Sequence, residues 1–164
     1  MYNISLRGRV FIALLLLKDH IEKESLDIGW LRKVLDDIFS ILLEDSPEIR
    51  ENLGQLEFDR YDLMESIGER NPYFSWTEVA AFKGKYPTVC KIVDAICTII
   101  KYHSKEDEIY ISWSFKTMEN LLDLLFDDKH LFIDFKLFDQ FIEDSGGKQL
   151  GRPLSRAEMQ QIKM

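Results

Sequence analysis

The sequence predicts an all-α protein: a single-domain bundle of about six to eight helices around a buried N-terminal helix. Three observations carry this expectation. Val10–Leu17 is a run of eight apolar residues between Arg9 and Lys18. At about 100° per residue such a run covers every face of a helix, which excludes a one-sided surface position. Segments led by Leu31, Ile92, Leu121 and Phe138 repeat apolar residues at helical spacing and supply the faces needed to wrap it. Finally, 164 residues with 46% apolar and 30% charged side chains suffice for one core without metal or disulfide support.

In chain order, the first helix is expected over Ser5–Glu24. Leu6, Val10, Leu14, Leu17 and Ile21 form its stripe, and Phe11, Ile12, Leu15 and Leu16 close the other faces. A second helix starts near Asp27, a side chain able to cap it, and repeats Ile28, Leu31, Leu35, Ile38 and Leu42. The short connection between them predicts antiparallel packing. Ser46-Pro47 opens a short helix interrupted by Gly54, since proline at the first helical position sacrifices no hydrogen bond. Glu57–Glu69 is the most acidic helix candidate, with Phe58, Tyr61, Leu63, Met64 and Ile67 among its carboxylates, and Asn71-Pro72 ends it. Ser75 and Glu78 have capping-box spacing. After Gly84 and Pro87, residues 88–103 place Val89, Ile92, Val93, Ile96, Cys97 and Ile100 on an inner face.

Residues 109–115 alternate enough to form a strand, and 131–135 is the partner available for a short hairpin. Ser114 can cap a helix carrying Met118, Leu121, Leu122 and Leu125 to about Asp128, and Asp134 can cap a last core helix with Phe135, Phe138, Phe141 and Ile142. Ser145-Gly146-Gly147 then divides a helical domain, 1–144, from a flexible C-terminal tail, 145–164. A second capping box at Ser155 and Glu158 allows a short helix in the tail, anchored by Met159 and Ile162.

Composition narrows the function classes. With 29 acids against 21 bases and a net charge of −8, the chain lacks the cation excess that drives binding to nucleic acid. Cys90 and Cys97, seven residues apart on one helix, are separated by about 10 Å, beyond the roughly 7 Å reach of a disulfide. They read as reduced core residues. His20, His103 and His130 are scattered, and Asp127-Asp128-Lys129-His130 reads as charge at a helix end. Gly146-Gly147-Lys148 lacks the remainder of a phosphate-binding loop, and no Gly-x-Ser-x-Gly elbow occurs. The expectation is a protein without catalytic activity, metal or other cofactor. Arg7 and Arg9 ahead of the apolar run resemble the start of a signal peptide, but Lys18-Asp19-His20 follows directly without a small-residue cleavage site. The run is also shorter than the ~20 residues a spanning helix needs. A cytoplasmic protein with no membrane partner is expected.

The acid falls into two blocks. Residues 22–70 hold fourteen acids against six bases, and residues 106–144 hold eleven against three. Such asymmetry steers a cationic partner, although a solvated face that keeps the protein soluble is the competing explanation. The partner-binding candidates are Glu57, Asp59, Tyr61, Asp62, Glu65 and Glu69, followed by Glu119, Asp123 and Asp127. Tyr73, Phe74 and Trp76 suit either an interface or a core, whereas Trp30 and Trp113 neighbour apolar positions and read as structural.

Arg9-Val-Phe-Ile-Ala-Leu-Leu-Leu-Leu, the second helix ending Ile-Phe-Ser-Ile-Leu-Leu, and Glu44-Asp45-Ser46-Pro47-Glu48 are similar to the N-terminal halves of small acidic bacterial immunity proteins. The resemblance is one of texture and carries no site residue. It implies a stoichiometric inhibitor of a cognate toxin, such as a nuclease whose basic cleft an acidic helical surface would cover. The alternative is a helical scaffold or regulatory module that binds a peptide or its own copy through an apolar groove. Either would be a monomer or a weak homodimer.

Overall fold

The first helix, α1 (Leu6–Glu24), forms where expected because Ser5 caps it, accepting the Gly8 N–H at 3.2 Å. It ends at Ser25, in the left-handed conformation at φ 50°. Its side chains are buried from Leu6 through Leu14 on every face, including Arg7 and Arg9. Burial of two cations is possible because each guanidinium meets acceptors. Arg7 donates from Nε to the Ile41 carbonyl (2.9 Å) and from Nη1 to that of Gly151 (2.8 Å), while Arg9 Nη1 donates to Ile4 O at 2.7 Å.

The computed structural model describes residues 4–68, 70–103, 108–126, 136–142 and 150–164. Around α1 it places α2 (Arg32–Leu43), α3 (Pro47–Gly54), α4 (Tyr61–Ser66), α5 (Trp76–Lys85), α6 (Pro87–His103), α7 (Glu108–Phe126), α8 (Lys136–Asp139) and α9 (Arg156–Ile162). The fold is an all-α bundle, and an isolated antiparallel bridge between Ile4 and Ile142 is its only β pairing among the described residues. α1 packs against α2, α6, α7 and α9, and α6 also against α3, α5 and α7. Cys90 and Cys97 are free thiols inside this core. Among the described residues no helix is long and apolar enough to cross a membrane.

Several boundaries differ from the sequence expectation, each for a local reason. A 3-10 turn, Gly29–Leu31, precedes α2, and Asp27 Oδ1 accepts the Gly29 N–H (2.9 Å), so this carboxylate caps the turn and not the helix. Residues 109–115 are helical within α7, which removes the hairpin; the proposed partner strand, 131–135, lies outside the described residues, as does Asp134. Ile111, Phe115, Met118 and Leu122 are buried at helical intervals, and this long-range packing outweighs the local alternation. Ser114 is therefore internal to α7 rather than its cap, and its hydroxyl donates to Ile99 O across 3.2 Å. Of the phenylalanine-rich helix the described residues include α8, beyond which Phe141 is buried and Ile142 turns outward, 54% exposed.

The segment 150–164 belongs to the core rather than trailing from it. Leu154 and Ile162 are buried, Leu154 N–H donates to Leu42 O, and Arg7 N–H donates to Leu150 O, both at 3.0 Å. Ser155 and Glu158 form the expected capping box of α9. Gly8 and Gly151 let these strands of chain close up: a Cβ at Gly8 would collide with Phe141 and Ile4, and one at Gly151 with Ser5. The Ser145-Gly146-Gly147 hinge lies outside the described residues.

Candidate partner-binding surface

The acidic segment 57–69 is organised by a carboxylate on another helix. Asp94 of α6 accepts the backbone N–H of Phe58 through Oδ1 (2.7 Å) and that of Asp59 through Oδ2 (2.8 Å). Those two donors are thereby lost to a helix, so the chain remains a loop until Arg60 and is helical only through α4. Phe58 is fully buried, 6.0 Å from Trp30 in an edge-on contact, and anchors the loop. Burial lifts the Asp94 carboxyl to about 7 against the opposing pull of its two N–H donors.

The predicted site residues fare differently. The Glu57 side chain is only 16% exposed and is answered within the chain, by Lys101 Nζ at 2.6 Å and Arg60 at 3.5 Å. Asp59 is exposed but faces Lys83 at 3.3 Å. Glu65 is exposed on α4. Tyr61 and Asp62 belong to α4, but their side chains lie outside the described set, and Glu69 is outside the described residues. Beside Glu65, Leu63 and Ile67 are 46% and 60% exposed and lie four residues apart. The sequence placed these two among the carboxylates of 57–69 without assigning them a face. The segment has no clean apolar stripe: Asp62 adjoins Leu63, and Glu65 lies between Leu63 and Ile67.

On α7, Glu119 is partly covered and 3.8 Å from Lys116, Asp123 is exposed, and Asp127 lies outside the described residues. Earlier on the same helix Ile109 and Trp113 are 59% and 47% exposed, so Trp113 is a surface residue, not the structural one expected, with Tyr102 edge-on at 5.3 Å. Trp30 is structural. It stacks on Phe82 at 4.0 Å and Tyr86 at 5.5 Å, and Phe74 sits 5.2 Å from Phe82. Tyr73 donates its hydroxyl to Asp37 Oδ2 (2.8 Å), and burial raises its pKa. Tyr73, Phe74 and Trp76 thus pack on the core.

A second feature is a groove of the kind the scaffold alternative requires, at a place the sequence did not locate. The end of α1, residues 26–29, α2 and α9 enclose a groove of about 840 Å³. Ile21, Leu26, Leu35, Phe39 and Met159 line it, and its rim carries Glu22, Asp27 and Asp36 together with Arg32 and Lys163. No group of three His, Cys, Asp or Glu residues suited to a metal ion occurs among the described residues. No family model, curated protein or solved structure matches this chain.

Proposed function

We propose that the protein is a non-catalytic binding protein of the immunity type, acting in the cytoplasm as a stoichiometric inhibitor of a toxin with a basic surface. The observation that supports this most is the exposure of Leu63 and Ile67 beside Glu65, within the segment predicted to meet a partner. An apolar centre with a charged surround is how protein interfaces are built, and half-exposed aliphatic pairs contribute little to a monomer. The net charge of −8 would speed encounter with a cationic partner, such as a nuclease whose cleft otherwise holds phosphates. Because Glu57 and Asp59 already have cations, the contact centres on α4 itself.

The test uses candidate toxins encoded in adjacent reading frames. Titrating toxin activity with the purified protein should give loss of activity at a one-to-one ratio, with association slowed by salt. The combined variant Leu63→Ala, Ile67→Ala and Glu65→Lys should inhibit poorly. Full inhibition by that variant would move the contact away from α4, and absence of inhibition by the unaltered protein would end the immunity reading.

The groove between α1, α2 and α9 favours a second reading, a scaffold that holds an apolar segment of another chain. Sedimentation at rising protein and salt concentrations separates the two, since association through apolar surface persists in high salt.

A further inference from the structure

We draw no further inference here: the strongest candidate, the apolar groove between α1, α2 and α9, carries rim charges of both signs in Glu22, Asp27, Asp36, Arg32 and Lys163, and nothing in the structure shows what covers it.

Discussion

Arg9 of α1 and His103 at the end of α6 meet inside the protein, with Arg9 Nη2 3.2 Å from His103 Nδ1. An arginine only donates, so this contact requires a neutral imidazole with its proton on Nε2. The guanidinium also lies 4.2 Å above the Phe115 ring, which ties α1, α6 and α7 at one point.

This arrangement predicts acid sensitivity. Burial, then the positive charges of Arg9 and Arg50, push the His103 pKa down to about 4. The unfolded chain takes up this proton near pH 6.5 and the folded one does not. The stabilisation is complete above pH 6.5 and fades as pH falls toward 4, with a total of about 3 kcal/mol. Denaturant midpoints at pH 7 and pH 4.5 should therefore differ less in His103→Gln than in the wild type. An unchanged difference would contradict a buried neutral imidazole.

Asp94 should act in the opposite sense. Its folded pKa is raised to about 7, so its contribution is fully present below the ordinary carboxylate range and is lost as pH rises through 7. Asp94→Asn removes this dependence while keeping one carbonyl acceptor for the 58–59 loop. Its stability relative to the wild type should increase between pH 5 and pH 8.5, read from urea midpoints at each pH.

Leu14 is fully buried in α1. Leu14→Asp places an unpaired charge there at a cost of several kcal/mol, against a total stability of roughly 5–15 kcal/mol for a domain. Circular dichroism should show loss of the cooperative thermal transition.

Leu63→Ala together with Ile67→Ala should leave the thermal midpoint nearly unchanged, within about 0.5 kcal/mol of stability for each exposed site. Melting curves check this directly, and a large loss of stability would mean that the pair supports the fold instead of remaining free for a partner.

Helix positions were legible where local chemistry and packing agreed. Ser46, Ser75 and Ser155 cap helices through their hydroxyls, as their sequence context indicated, and Ser5, expected inside the first helix, caps it. The apolar run of α1 is wrapped, as a helix without a polar face must be. Periodicity misled at 109–115, where burial of Ile111 and Phe115 against distant helices decided the outcome, and the exposure of Leu63 and Ile67 emerged only with the packed fold.

The sequence by itself determined the all-α class, the buried first helix, the thiols Cys90 and Cys97 held in the core and the two acidic blocks, because each depends on residue type and spacing along one segment. Only the tertiary structure decided which acids remain available to a partner. Asp94 is 36 residues from Phe58 and 35 from Asp59, and Lys101 is 44 from Glu57. Such pairings exist only after α6 has packed, since a one-dimensional pattern holds no information on which cation will reach which carboxylate.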